Sequence, residues 1–371
     1  MKKIVSLFIL VFSIMLCAVT ALGAETVASG YCGGEGNVKN LTWTLDSDGV
    51  LTISGSGKMK NYDIFYVDGY WTPTTPWWDY ADSFKTLVLE EGITHIGDYA
   101  FYNCDGFTGN LVIPDSVTTI NYRAFYDFDF DGNLVIGNNV TTIGDQAFYI
   151  GDFTGNLVIG NSVTTIGYSA FYGCGFTGDL VIPDSVTNIG YNAFCDCDFD
   201  GNLVIGKGLT IIKNDTFKWC SDFKDKVVLH DKITKIDNNA FRGCGINKYY
   251  FEGNAPGVRA ATASEPSFDS ASDTIYYPIG NTTWEIIDGK WNGYNAKAYD
   301  TNAKFLLGDC NGDGVINARD SQRLYEHIVG KNPFVKDSDE YKAADVNGDG
   351  IINARDSQRL YEHIVGKDPL D

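Results

Sequence analysis

Twelve oxygen donors near the C-terminus fall into two sets with the spacing of a hard-cation site. In the first, Asp309, Asn311 and Asp313 alternate along the chain and Gly314 permits a sharp turn. The carbonyl of Val315, a water held by Asn317 and the carboxylate of Asp320 complete the shell. Asp345, Asn347, Asp349, the carbonyl of Ile351, Asn353 and Asp356 repeat the set around Gly350. Calcium is the ion that all-oxygen loops of this kind take, and two loops imply two ions.

The loops belong to a duplication. DCNGDGVINARDSQRLYEHIVGK, starting at Asp309, returns 36 residues later at Asp345, and of its 23 positions only Cys310/Val346 and Val315/Ile351 differ. Each loop leads into a predicted helix in which Leu324 and Ile328, or Leu360 and Ile364, recur at i and i+4. The two apolar stripes can pack on each other. No amphipathic helix precedes either loop, and the closing ligand is Asp where a standard EF-hand has Glu, so each copy is a half EF-hand.

With those motifs in place, the tail, residues 302–371, resembles a type I dockerin. The resemblance implies a small all-α calcium-binding module that plugs into a cohesin domain of a scaffoldin in a multi-enzyme complex. In that family the cohesin is gripped by the two residues before the closing Asp and by a pair one to two turns further on. These places hold Ala318, Arg319, Tyr325 and Glu326 in the first copy, and Ala354, Arg355, Tyr361 and Glu362 in the second. Well-studied relatives carry Ser-Thr at the first pair, so the departure implies a cohesin of another specificity class. Identity of the two copies at all four places implies that the module can present the same face after a half-turn. The tail holds nine Lys or Arg against thirteen Asp or Glu, a formal −4 that two calcium ions would cancel. A core of this size has little apolar burial to offset crowded carboxylates, so metal binding and folding are expected to be coupled.

The elements that come before this tail form a repeat array. Leu111, Leu134, Leu157, Leu180 and Leu203 stand 23 residues apart, and flanking copies begin at Leu87 and Val227, making about seven rungs over residues 84–250. A short strand carries Leu111 and Ile113 inward, and Val117, Ile120, Ala124 and Phe125 continue the stripe. One such unit cannot bury its own apolar face, but stacked neighbours can, which makes a solenoid. The segments VTTINYRAF, VTTIGDQAF, VTTIGYSAF and VTNIGYNAF resemble the BspA-like class of bacterial leucine-rich repeats. That resemblance implies an α/β solenoid of short strands and short helical turns. Residues 24–83 read as a β-rich N-terminal cap, with a hairpin turn at 47–49, and residues 251–301 as a C-terminal cap with irregular strands.

Residues 1–23 have two lysines, an apolar run and Ala21-Leu22-Gly23, the pattern of a secretory signal. No later apolar stretch is long enough to span a membrane. The full chain carries a formal −20, a surface that repels nucleic acid and anionic lipid. Cys104, Cys174, Cys197, Cys220 and Cys244 share one repeat position, three after the Phe, and Phe128 and Gly151 fill it in two other rungs. Parallel Cβ vectors at that position favour buried free thiols over disulfides.

Catalytic chemistry is harder to find. The runs DFDFDG at 127–132 and DCDFDG at 196–201 offer carboxylates, but they occupy the loop slot of the repeat, where solvated Asp alternates with inward Phe. A glycosidase needs two carboxylates at a fixed separation in a cleft. The four histidines form no zinc motif, and the segments named above leave no length for a catalytic domain. The expected function is therefore non-catalytic: a secreted, extracellular protein of a cell-surface cellulosome complex. Its dockerin binds a cohesin, and its repeats present a surface to an unknown protein or glycan. Val112, Val135, Val158, Val181 and Val204, beside Thr119, Thr142, Thr165 and Asn188, form one such surface. Tyr122, Tyr168 and Tyr191, with Trp77, Trp78, Trp284 and Trp291, could stack on sugars or belong to the core. A polysaccharide-degrading enzyme and a surface adhesin are the alternatives.

Overall fold

In a computed structural model the chain divides into two compact units, Met1–Ala298 and Tyr299–Asp371. The structure describes residues 24–299 apart from 68, 225 and 270, and, in the second unit, 310, 316, 318–328, 331, 333–334, 339–346 and 351–364. The expected signal at 1–23 lies outside the described residues.

The first unit is a β-solenoid. Each rung contributes two short strands, such as Leu111–Val112 and Thr119–Ile120, and these two pair in parallel with their counterparts 23 residues on. Leu134 pairs with Leu111 and Leu157, and Thr142 with Thr119 and Thr165, so sequence period and ladder register coincide. The repeat fixes this register because a slip by one residue would turn every inward Leu and Ile outward. Leu111, Ile113, Val117, Ile120, Ala124 and Phe125 are all buried.

Aromatic rings run the length of the unit. Trp77 and Phe101, Phe125, Phe148, Phe171, Phe194, Phe217, Phe241 and Phe268 stack face to face at 5.0–5.9 Å between centroids. A second column runs from Phe84 through Phe107, Phe130, Phe153, Phe176 and Phe199 to Phe223 at 4.6–6.2 Å. The spacing follows from the ladder, since strands lie about 4.8 Å apart. Each stacked pair adds about 0.5–1.5 kcal/mol to the apolar burial of its rings.

The turn after the second strand does not extend into a helix in any described rung. The residue before each Ala-Phe pair is left-handed, as at Arg123 (φ 50°), Gln146 (φ 55°), Ser169 (φ 48°) and Asn192 (φ 56°). A second left-handed residue follows two after the Phe, as at Asn103 (φ 54°), Asp127 (φ 57°) and Asp196 (φ 62°). Left-handed residues at this spacing stop helical propagation and bend the chain into the next side of the rung.

The thiols pack as expected and also donate. All eight described cysteines are buried, and none is in a disulfide. Cys174, Cys197 and Cys220 donate Sγ–H to the carbonyls of Phe148, Phe171 and Phe194 one rung back, at 3.0, 3.0 and 2.9 Å. Burial pushes the thiols of Cys174 and Cys244 up to about 12, so they stay protonated. Where the column holds Phe128, its ring lies 2.5 Å from where a Cβ on Gly151 would stand. Glycine is the residue that fits under it.

Both ends are closed by strands. Leu41–Asp46 and Val50–Gly55 form the expected hairpin, and the second strand pairs in parallel with Thr86–Leu89. At the other end Lys248–Phe251 pairs with Thr274–Pro278, and Lys290–Trp291 with Tyr294–Tyr299. The ladder of first strands is interrupted between Leu157–Val158 and Leu180–Val181. A corner asparagine ladder breaks there too. Asn133 and Asn156 donate backbone N–H to the preceding Oδ1 of Asn110 and Asn133 at 2.8 Å, and Asn202 does the same to Asp179 at 2.7 Å, whereas among the described residues no such bond joins Asp179 to Asn156.

Two outcomes test this account. Ile150 sits at φ 52°, where other rungs hold Asn, Asp, Gly or, in one case, Trp219, and it is 40 % exposed. A β-branched residue is costly there, so Ile150→Asn is expected to stabilise the unit by about 1 kcal/mol in urea unfolding. An unchanged or lower midpoint would refute the strain. Asp105 is pushed up to about 6 by burial and by Asp129, Asp127 and Asp152 on neighbouring rungs. Its ionised form opposes folding, so the stability it withholds is fully available below the unfolded carboxylate range and is lost as pH rises through about 6. Asp105→Asn should raise the melting temperature at pH 7.5 and leave it unchanged near pH 4.

Candidate calcium and partner site

The second unit is built on two helices of identical sequence, Ala318–Ile328 and Ala354–Ile364, and a short helix, Asp339–Ala344, which ends directly before Asp345, where the sequence pattern predicts none; Ala344 and Tyr341 pack it on the core. Leu324 and Leu360 are fully buried in a small core with Cys310, Phe334, Ala344 and Val346. Cys310 and Val346, one of the two differing pairs, therefore do the same packing job. Ile364 is half-buried, whereas Ile328, the last residue of its helix, lies 36 % exposed at the rim. The predicted stripe thus holds in the second copy, where Ile364 packs against this core, and narrows to Leu324 in the first.

The start of the last helix shows how the loop chemistry is held. Asn353 Oδ1 accepts the N–H of Arg355 at 2.8 Å, and Asp356 Oδ2 accepts the N–H of Asn353 at 2.9 Å. This reciprocal pair is a capping box with Asp in the usual Glu place. It satisfies helix-start donors and fixes the Asp356 carboxylate beside the loop. Asn353 Nδ2 also donates to the carbonyl of Ile351 at 2.9 Å, which sets the direction of that backbone oxygen.

Asp320 and Asp356, the two closing carboxylates, are both 0 % exposed. An ionised carboxylate removed from water is costly unless opposite charge offsets it, and each of these two closes a D-x-N-x-D-G sequence whose oxygens are of the kind calcium takes. This donor set fits calcium. Asp345 is half-buried at the mouth of the second loop, and its N–H donates to the carbonyl of Tyr341 at 3.2 Å. Asp309, Asn311, Asp313, Val315, Asn317, Asn347 and Asp349 lie outside the described residues.

Of the expected partner contacts, Tyr325 and Tyr361 are 57 % and 54 % exposed, and Ala354 and Arg355 are exposed on the first turn of the last helix. Glu326 and Glu362 are half-buried and accept hydrogen bonds from Gln322 and Gln358 one turn earlier. Ala318 and Arg319 occupy the first turn of their helix, and their side chains lie outside the described residues. Ala354, Arg355 and Glu362 line a groove of about 530 Å³ together with Gln358 and Arg359. Sequence reasoning did not single out those last two. Their spacing at i+4 from Ala354 and Arg355 was the available signal.

The first unit also exposes a surface that the sequence reading missed. Ile64–Val67 and Tyr70–Pro73 form an antiparallel hairpin on which Phe65, Tyr66, Val67, Tyr70 and Trp71 are each at least 50 % exposed. Tyr66 and Trp71 pair edge to face at 5.2 Å. An Asp-Gly turn between apolar strands is a strong local hairpin signal, and it stands at 68–69. Trp77, Trp284 and Trp291 are buried, whereas Tyr168 and Tyr191 are 46 % and 50 % exposed. Val181 and Val204 are 49 % and 45 % exposed, and Val112, Val135 and Val158 are half-buried. The DFDFDG run divides as expected, with Phe128 and Phe130 buried and the aspartates exposed. Among the described residues no helix is long and apolar enough to cross a membrane. His230 is buried and structurally engaged: its Nδ1 accepts the N–H of Lys232 at 3.3 Å, so Nε2 donates to the carbonyl of Gly206 at 3.1 Å.

Comparison with known proteins agrees with both halves. Residues 78–200 and 199–262 match the BspA type leucine rich repeat region in six copies, and residues 307–365 match the dockerin type I domain. A leucine-rich repeat protein from Eubacterium ventriosum is similar over 68 % of this chain and 79 % of its own, at 19 % identity and a TM-score of 0.41. The leucine rich repeat protein of T. pallidum is 19 % identical over 57 % of this chain and 83 % of its own, with a TM-score of 0.34. The pneumococcal vaccine antigen PcpA is 10 % identical over 73 % of this chain and 99 % of its own, with a TM-score of 0.34. No curated protein matches. Both matched families are non-catalytic modules. The chain thus carries a BspA-type leucine-rich repeat region and, at its C-terminus, a type I dockerin, the calcium-binding module that docks on cohesins.

Proposed function

We propose that this is a secreted, non-catalytic component of a cellulosome-type assembly. Its dockerin binds a scaffoldin cohesin, and its repeats hold out a recognition surface. The observation that carries the reading is the pair of fully buried carboxylates, Asp320 and Asp356, each opening a helix of identical sequence. Asp309, Asn311, Asp313, Val315, Asn317 and Asp320 would hold one calcium ion, and Asp345, Asn347, Asp349, Ile351, Asn353 and Asp356 a second. The ions would supply positive charge that offsets the acidic residues gathered around them. The chain's own residues do the rest. The Asn353–Asp356 box starts the last helix, Leu360 docks it on Leu324, and Ala354, Arg355, Tyr361 and Glu362 are left facing outward for the cohesin. Ala318, Arg319, Tyr325 and Glu326 are the matching set on the first helix.

In the first unit, the exposed hairpin at 64–73, on the N-terminal cap beside the repeats, is the strongest contact surface. Large rings on both of its faces give it an apolar payload with polar handles, suited to sugar rings or to a protein groove. Secretion would follow from residues 1–23, and the caps at 24–83 and 251–301 would close the array at 84–250.

Calcium dependence tests the first half. Chelation of the full-length protein is expected to remove most of the far-UV helical signal and, in the same titration, to abolish capture of a cohesin. Cohesin binding that survives chelation would overturn the mechanism. For the second half, Tyr70→Ala with Trp71→Ala should lower retention on plant-wall glycans in affinity electrophoresis several-fold, with the melting temperature unchanged. Unaltered retention by a chain that does bind the glycan would remove the hairpin from the binding surface.

A further inference from the structure

The two dockerin helices have the same eleven residues but different surroundings. In the first copy the guanidinium of Arg323 lies over the ring of Phe334, 3.9 Å from its centroid. Phe334 is buried, its ring stacks on His327 at 4.8 Å, and its N–H donates to His327 Nδ1 at 2.9 Å. Glu326 on the same face is within 3.7 Å of the Lys331 ammonium. The first helix therefore has its arginine and its glutamate already engaged by the segment that follows it.

Residues 365–371, which follow the second helix, hold no aromatic ring to repeat this clasp. The sequence that gives KNPF at 331–334 reads KDPL at 367–370, so Leu370 stands where Phe334 would be. Arg359, the counterpart of Arg323, has a buried Nε with no hydrogen-bond partner. Among the described residues no acceptor engages this Nε, so the guanidinium of a residue that lines the groove is left to a ligand entering there. Arg359 lines the groove of about 530 Å³ with Arg355 one turn away, and both are on the face expected to meet the cohesin.

Resting on the dockerin reading above, we infer that this groove receives a carboxylate side chain of the cohesin, which Arg359 binds in a forked pair with Arg355 alongside. A carboxylate is the group whose two oxygens match guanidinium geometry. The module then docks chiefly through its last helix, although the outward residues of the two helices are the same. Arg359 is the asymmetric element, because its twin Arg323 is spent on Phe334.

The test uses the full-length chain in calcium against a panel of isolated cohesins, with affinity measured by calorimetry for the one that binds. Arg359→Met is expected to weaken binding at least tenfold and Arg359→Lys to recover only part of it, because an ammonium cannot make the fork. Arg323→Met should stay within about twofold of the unaltered chain. Arg355→Ala, at an exposed position that cannot disturb the core, should weaken binding in the same direction as Arg359→Met and flatten the salt dependence. Undiminished binding by Arg359→Met, or equal losses for the Arg323 and Arg359 variants, would overturn the clamp while leaving the dockerin reading intact. Failure of the unaltered chain to bind any cohesin would sink both.

Discussion

Hydrogen bonding from one rung to the next is the constraint on which the first unit depends. The N–H of Phe101, Phe125, Phe148 and Phe171 each donates to the Ala carbonyl of the following rung, at 2.7–2.8 Å, and the strand residues do the same on the other sides. Because these bonds hold successive backbones about 4.8 Å apart, side chains at equivalent positions are forced into columns. The columns then select their occupants. Flat rings stack, thiols reach one carbonyl back, and asparagines bond along a corner. Like charges also line up, which is why the aspartates around Asp105 raise one another.

The second unit obeys a different constraint. Its core is a handful of side chains around Leu324 and Leu360, too small to carry two buried carboxylates unaided. On the proposed reading, the acidic residues that crowd the loops would also draw the cation, so that folding and metal loading would be one event and ambient calcium a condition for assembly.

Much of this was legible in the sequence. The 23-residue period fixed the parallel register before any strand was seen, because each Leu and Ile must return to the same inward slot. The duplicated loops specified both the ion and the helices that follow. What escaped was set by neighbours in space. The left-handed residues before each Ala-Phe include Arg123, Gln146 and Ser169, none of which signals that geometry by type, so the turns read as more helical than they are. The hairpin at 64–73 had an Asp-Gly signal, yet its outward rings depend on no other element covering it. Arg359 was invisible because Arg323 has the same sequence context on its own helix, and the difference lies in a residue eleven positions away.

The fit of Phe128 against Gly151 has a consequence for how such an array can change over time. Backbone equivalence suggests that rungs are exchangeable, like beads added to or taken from a string by recombination between near-identical stretches of gene. This knob and its hole make two neighbours inseparable. Deleting the rung with Gly151 would drive the ring into the cysteine column that follows, while losing the rung with Phe128 would leave a gap beneath the glycine. Expansion or contraction is therefore expected to spare the pair or to copy it whole, so that one junction records the ancestral order of the series.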